Sequence, residues 1–419
     1  MSARPKRPPT GGPTRALVFS GGGARGAYEA GTVRYLVEEL PKRLGFVPRF
    51  EVICGTSVGA IHACYMAATA HETVNRGRNL VDFWTRMKLE EVLPLSATDI
   101  LRWPGRLLGL RGLAERMRSG KAPERLYGLL DTRALERLVV DAVPWRSLHT
   151  NVAEGLVQSV CVTATQISTG RVVNFIETNA SSLPQWTRDM TLFPRKTRLR
   201  ATHALASAAI PVLFPVVRIA RSYYADGGLR LNTPLAPALR LGAERVLVIA
   251  LRQNMSKVQQ KVLATHRVED YASPTFLFGK VLNALLLDHL DTDLARMHVI
   301  NEVIADGEKA YGPDFLERVN EVATAERGQR FRVIDDLVLR PSEDLGMLAG
   351  KILRDLPDTR ARSPLLRLAA RNVDDSRRTP ESDLLSYLMF DREFSAPLAE
   401  LGFQDAMKRE DDLLEFFSS

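Results

Sequence analysis

Residues 50–70 read FEVICGTSVGAIHACYMAATA, and the order of residue types in them decides the fold. FEVIC (50–54) is a short apolar run of strand length, and AIHACYMAATA (60–70) is a helix rich in small side chains. GTSVG (55–59) joins the two and sets Ser57 at the tip of the turn. A turn of this pattern lifts a serine hydroxyl above the end of a strand, where it can attack an ester carbonyl. Gly55 and Gly59 leave space where the turn crowds the adjacent strand and the following helix. Read alone, the same five residues are also compatible with an ordinary strand-to-helix turn.

The stretch before it repeats the unit. RALVFS (15–20) is a second apolar run, SGGGARG (20–26) a glycine-rich turn, and Tyr28, Val33, Tyr35, Leu36 and Leu40 recur at helical spacing. Further strands are expected at LVQSVCVTAT (156–165), RVVNFI (171–176) and ERVLVIAL (244–251). Strands alternating with helices predict an α/β fold: three layers, α/β/α, around a mainly parallel sheet. Residues 1–14 read as a basic disordered arm, 15–252 as the main domain with a cap or lid at 75–145, and 253–419 as a mainly helical region packed on the core. Within the last, Leu290, Leu294 and Met297 share one helix face, and FRVIDDLVL (331–339) is a late strand.

A chain of 419 residues, 45% hydrophobic and 25% charged, has ample material for a large core. Its longest apolar runs fall short of the ~20 residues that span a bilayer, and the N-terminal arm lacks the apolar centre of a secretory signal. Three cysteines, Cys54, Cys64 and Cys161, have neither paired nor metal-type spacing. A cytoplasmic protein, soluble or peripheral to a membrane, is therefore expected. The net charge of +8 suits nucleic acid, anionic lipid or plain solubility. No zinc finger, aromatic-basic RNP pattern or sustained heptad is present, so nucleic acid is not an expected partner.

SGGGARG admits two chemical readings. Gly21, Gly23 and Gly26 fit a dinucleotide fingerprint, which also wants an acidic residue at the end of the next strand. Glu51 stands at the start of that strand instead, and the strand ends at the serine turn. A glycine turn with outward N–H groups also holds a developing oxyanion, which suits a neighbouring nucleophile. Arg25 would add positive charge there, or is a solvated surface arginine. The third element is ADGGLRLNTPL (225–235), where Asp226 precedes Gly227 and Gly228 after a run of strand character, FPVVRIARSYY. Asp-Gly-Gly alone is most often a turn. Together, the three turns would lie at the carboxyl edge of one parallel sheet, where such sheets build their sites.

In that order, GGGARG, GTSVG and DGG resemble the patatin-like phospholipase family, and ASAAIPVLFP (206–215) is similar to a family segment ahead of the aspartate. The resemblance covers about residues 15–252. It implies an acyl hydrolase acting on phospholipids, lysophospholipids or other acyl esters through an acyl-serine intermediate. Ser57 would be the nucleophile and Asp226 its base. Gly21, Gly22, Gly23, Arg25 and Gly26 would form the oxyanion site, Gly55 and Gly59 the elbow, and Gly227 and Gly228 the supporting turn. No metal or organic cofactor is implied. One departure is Ser20, where many members have Asp, outside the glycines. The alternatives are a Ser/Asp/His triad drawing on His266, His289 or His298, and a signal-activated or non-catalytic lipid-binding protein. His62 and His203 read as structural. Finally, Trp103, Leu107, Leu110, Ala114 and Met117 form a helical stripe within the arginine-rich residues 101–126. That stretch predicts either peripheral contact with an anionic membrane surface or an ordinary cap helix.

Overall fold

The computed structural model describes residues 12–88, 125–126, 133–186, 191–211, 213–254, 290–327, 330–355 and 386–418. Strand β1 (Arg15–Phe19) leads through a 3₁₀ turn (Gly23–Arg25) into α1 (Gly26–Arg34), which continues by a π-helical turn (Tyr35–Glu39) into α2 (Leu40–Leu44). Next come β2 (Val52–Thr56), α3 (Val58–Ala68), α4 (Arg76–Arg86), β3 (Arg125–Leu126), α5 (Arg133–Ala142) and α6 (Trp145–Ala153). The middle of the chain supplies β4 (Ser159–Gln166), β5 (Val172–Thr178), β6 (Leu192–Lys196), α7 (Ala201–Ser207), β7 (Val216–Ile219), β8 (Ser222–Asp226), α8 (Leu235–Arg240) and β9 (Arg245–Ile249). It closes with α9 (Leu290–Tyr311), α10 (Phe315–Arg327), β10 (Asp335–Leu339), α11 (Leu345–Asp355), α12 (Arg392–Lys408) and α13 (Glu410–Ser418).

The sheet runs β10-β9-β1-β2-β4-β8-β7-β3, with β5 and β6 branching from β4. β10, β9, β1, β2 and β4 are mutually parallel. Alternation along these strands separates two cores, because successive side chains point to opposite faces. Leu17, Phe19 and Ile53 face the cluster that includes α1, α3 and α12. Ala16, Val18, Val52 and Cys54 face Leu235 and Ala238 of α8 and Leu290, Leu294 and Met297 of α9. Helices cover both faces, which is the three-layer, mainly parallel α/β architecture. Each fully buried Leu- or Phe-sized side chain contributes about 2 kcal/mol.

One local feature departs from the sequence expectation. The run FPVVRIARSYY is a hairpin, β7 and β8, that reverses at Ala220, where φ is 55°. β8 is consequently antiparallel to β4, so Asp226 does not come from a parallel strand as Ser57 does. Within 75–145, α4 and α5 bury Leu80, Trp84, Leu135 and Val139 in the main core. Of the striped stretch 101–126, only β3 is described, paired antiparallel with β7; the remainder lies outside the described residues.

The C-terminal α12 packs on α1 through two glycines. An added methyl at Gly31 would run into the carbonyl oxygen of Ala399, and one at Gly402 into that of Tyr28. Thr32 Oγ1 donates across the crossing to the Gly402 carbonyl at 3.2 Å.

Candidate active site

β2 and β8 reach one strand from opposite directions. β2 ends with Thr56 paired to Thr163, and β8 ends with Asp226 paired to Ala164, the next residue of β4. β5 occupies the other edge of β4, so the two strands meet end to end along a single edge. Their termini are thereby brought together. Ser57 Oγ donates to Asp226 Oδ2 at 2.6 Å, with both residues buried.

The turn that carries Ser57 is strained. Its φ of 55° and ψ of −125° lie outside the regions open to most side chains, at a cost of about 1–3 kcal/mol. Tertiary contacts hold it: the Ser57 N–H donates to Ser207 Oγ at 2.8 Å, and Ser207 Oγ–H donates to the Thr163 carbonyl at 2.5 Å. Side chains at Gly55 or Gly59 would strike the Gly59 carbonyl or the carbonyls of Phe19 and Ser20, so the elbow closes only with glycine at both places.

Asp226 is held on three sides. Its Oδ1 accepts from the Gly228 N–H at 2.7 Å, its carbonyl from Thr165 Oγ1 at 2.9 Å, and its own N–H donates to Ala209 at 2.8 Å. Gly227 fits against the Thr163 carbonyl. Burial pushes the Asp226 carboxyl up to about 7, against the opposing pull of the Ser57 and Gly228 hydrogen bonds.

The glycine loop lies beside this pair, and its members have different tasks. The Gly21 N–H donates to the Asn232 carbonyl at 3.1 Å, while Asn232 Nδ2 donates back to the Gly21 carbonyl at 3.2 Å. That amide is already engaged, although the sequence placed Gly21 with the oxyanion site. A methyl at Gly21 would collide with Asn232 Oδ1 and press on Ser57 Cβ, so this position supplies room. The N–H groups of Gly22, Gly23 and Val58 have no hydrogen-bond partner among the described residues. Arg25 turns its guanidinium to the C-terminal segment: Nε donates to Ser386 Oγ at 2.8 Å, and the group lies 4.0 Å from the centre of the Tyr387 ring. Gly26 packs against Val58 and Trp84.

An apolar slot opens next to Ser57, lined by Val58, Ile61, Trp84, Met87, Phe214 and Phe390. Its free volume is about 20 Å³, room for roughly one water molecule. The described histidines stand elsewhere. His62 is enclosed against Glu29 and Trp84, His203 accepts from the Arg200 N–H at 3.0 Å, and His298 bonds Asp336 at 2.6 Å. His266 and His289 lie outside the described residues. Among the described residues, no cluster of His, Cys, Asp or Glu suits a metal ion. Sequence reasoning missed Ser207, Asn232 and Thr165, whose parts depend on contacts across the fold. The only local signals were that Ser207 falls in ASAAIPVLFP and Asn232 in ADGGLRLNTPL.

The chain is similar to several known proteins. Human GIVD cytosolic phospholipase A2, solved with methyl gamma-linolenyl fluorophosphonate, aligns over 97% of this chain and 58% of its own, with 13% identity and a TM-score of 0.42. VipD from Legionella pneumophila aligns over 96% and 67%, with 13% identity and a TM-score of 0.31. A cGAMP-activated phospholipase from Pseudomonas aeruginosa (strain BWHPSA011 / Pa011) is 30% identical over 228 residues, 54% of this chain. The match spans 56% of that relative's length. The patatin-like phospholipase family matches residues 17–239, just over half of the chain. The chain belongs to the patatin-like phospholipase family.

Proposed function

We propose that the protein hydrolyses fatty-acyl esters of phospholipids or lysophospholipids, with Ser57 as nucleophile and Asp226 as its base. The observation that carries this reading is the direct hydrogen bond from the buried Ser57 hydroxyl to the buried Asp226 carboxyl. A serine hydroxyl needs a neighbouring base, and a carboxyl raised to about 7 is matched to proton transfer near neutral pH. As Ser57 Oγ bonds to the ester carbon, its proton passes to Asp226 and the carbonyl electrons move onto oxygen. The amides of Gly22, Gly23 and Val58 receive that oxyanion. Collapse expels the alcohol, which takes its proton from Asp226. Water, deprotonated by Asp226, then attacks the acyl-Ser57 carbonyl, and as the ester bond breaks Asp226 returns that proton to Ser57 Oγ and the fatty acid is released. The sequence calls on no metal or organic cofactor. Gly21 provides clearance for the nucleophile, and Arg25 anchors the segment that covers the loop.

The substrate would be met at a lipid surface, where the +8 charge favours anionic headgroups. No helix among the described residues is long and apolar enough to cross a membrane. A second element of the reading is control by a small ligand. The Pseudomonas relative's name couples its phospholipase activity to cGAMP, and the nearly filled slot at Ser57 suits a site that must open before an acyl chain enters.

A panel of phospholipids and lysophospholipids, offered with and without detergent and with and without cyclic dinucleotide, tests the activity by fatty-acid release. Ser57→Ala and Asp226→Asn should each reduce release by at least ~10³-fold, and the double variant should be hardly worse than either. A folded Asp226→Asn protein with near-normal turnover removes Asp226 from the mechanism.

A further inference from the structure

A second set of buried polar groups lies behind the glycine loop, and the acyl-transfer steps do not use it. Ser20, the residue before Gly21, shares its N–H between the Ile249 carbonyl at 3.3 Å and Glu29 Oε1 at 3.0 Å. Glu29 Oε2 lies 2.6 Å from His62 Nδ1, and Trp84 Nε1 donates to His62 Nε2 at 2.8 Å. Ser20, Glu29 and His62 are wholly buried, and Trp84 is nearly so. They belong to the loop, α1, α3 and α4, so the chain of bonds crosses four elements. Its far end is a wall of the slot beside Ser57, where the Trp84 indole stacks on Phe390 at 6.0 Å between ring centres.

We infer that Glu29, His62 and Trp84 are positioning residues, a relay that fixes the oxyanion loop and ties its placement to the wall of the acyl slot. The inference rests on the acyl-hydrolase reading of Ser57. Hydrogen-bond polarity gives the relay its direction. The indole N–H is a donor only, so His62 Nε2 must present its lone pair. Burial holds the imidazole neutral, its pKa pushed down to about 3, so its single proton sits on Nδ1 and is donated to Glu29 Oε2. Burial also pushes the Glu29 carboxyl well above the usual carboxylate range, against the pull of the Ser20 N–H. A proton on Oε2 would nevertheless face His62 Nδ1–H, and one on Oε1 would face the Ser20 N–H, so these two donors keep Glu29 an acceptor at both oxygens. Two and three residues after Ser20 are the amides of Gly22 and Gly23, unpaired among the described residues. Nothing in this chain of bonds can be reversed at one place without reversing the next.

Glu29→Gln breaks that polarity with little change of shape. With its amide oxygen on Ser20, Gln donates to His62 Nδ1, moves the imidazole proton to Nε2, and sets two donors face to face at Trp84. With the amide turned round, the Ser20 contact becomes the clash. Trp84→Phe removes the opposing donor and makes the first orientation free of conflict. Glu29→Gln is therefore compared in two backgrounds, using p-nitrophenyl butyrate turnover and capture of Ser57 by a fluorophosphonate. In the otherwise natural protein, kcat and the capture rate should fall about a hundredfold with KM within about threefold; in Trp84→Phe the same change should cost less than about tenfold.

Equal losses in the two backgrounds, or a loss carried by KM, would overturn the relay in favour of simple core packing. Nitrogen NMR of His62 reads the polarity with no substitution at all: the Nδ1–H tautomer is expected in the natural protein and Nε2–H in the Glu29→Gln/Trp84→Phe protein. An Nε2–H tautomer in the natural protein defeats the relay even if the Glu29 variants fail to fold. A natural protein that neither turns over ester nor reacts with fluorophosphonate defeats the hydrolase reading instead, and leaves the tautomer result to judge the relay.

Discussion

At the scale of single residues, the environment of Asp226 makes a prediction with two opposite signs. The carboxyl titrates at about 7 in the folded protein against 3.8 in an ordinary setting. A base must be ionised to accept the Ser57 proton, so kcat/KM should rise with pH through about 7 and then level off. Stability runs the other way. The native state favours the protonated acid, so the Asp226 contribution is complete below pH 3.8 and is lost as pH rises through about 7. Asp226→Asn keeps an acceptor for the Gly228 N–H and a hydrogen-bonding group for Ser57, and it removes the cost of the buried charge. The variant should be inactive yet more stable than the natural protein at pH 8, by at most ~4 kcal/mol. The gain should vanish at pH 3–4, and denaturant titrations at the two pH values measure it. Ser57 and Asp226 were legible in the sequence because each sits in a short motif whose glycines serve local backbone needs. Ser207 and Asn232 were not. They act on residues far along the chain, Ser207 on Ser57 and Asn232 on Gly21, 211 positions away.

At the scale of elements, the parallel strands were readable because each is a compact apolar run followed by a turn and a helix-spaced stripe. The β7–β8 hairpin was not, since Ala220 and Arg221 reverse the chain without glycine, proline or asparagine to mark the turn. That hidden reversal is what aims Asp226 at Ser57, because only an antiparallel β8 can meet β2 end to end on β4. The crossing of α1 and α12 is equally silent in the sequence. Gly31 falls within a helix, where glycine costs about 1 kcal/mol relative to alanine, yet here alanine should be the destabilising choice. Its methyl would press on the Ala399 carbonyl and force the helices apart. Gly31→Ala should therefore lower stability by about 1–3 kcal/mol, read as a fall in Tm, and Gly402→Ala should behave alike. A rise in Tm on either change would mean that helix propensity outweighs the close approach.

At the scale of the whole molecule, the C-terminal region completes the site that the first half of the chain begins. Tyr387 lays its backbone on Gly23 and its ring under the Arg25 guanidinium, and Phe390 stacks on Trp84 at an interplanar angle of 11°. Neither contact is visible in a motif, because the partners are brought together only when α12 docks on α1. The outcome is a slot beside Ser57 with room for about one water, far too narrow for a fatty-acyl chain. Phe390 comes from the covering segment, so its loss would widen the slot and leave the sheet and α3 in place. Phe390→Ala should cost about 3 kcal/mol of stability but raise turnover of p-nitrophenyl decanoate relative to p-nitrophenyl butyrate. The short chain needs little of the space that the ring vacates. Steady-state rates on the two esters, taken well below the lowered Tm, decide the matter. A ratio equal to that of the natural protein would show that the acyl chain enters by another path and that Phe390 only packs.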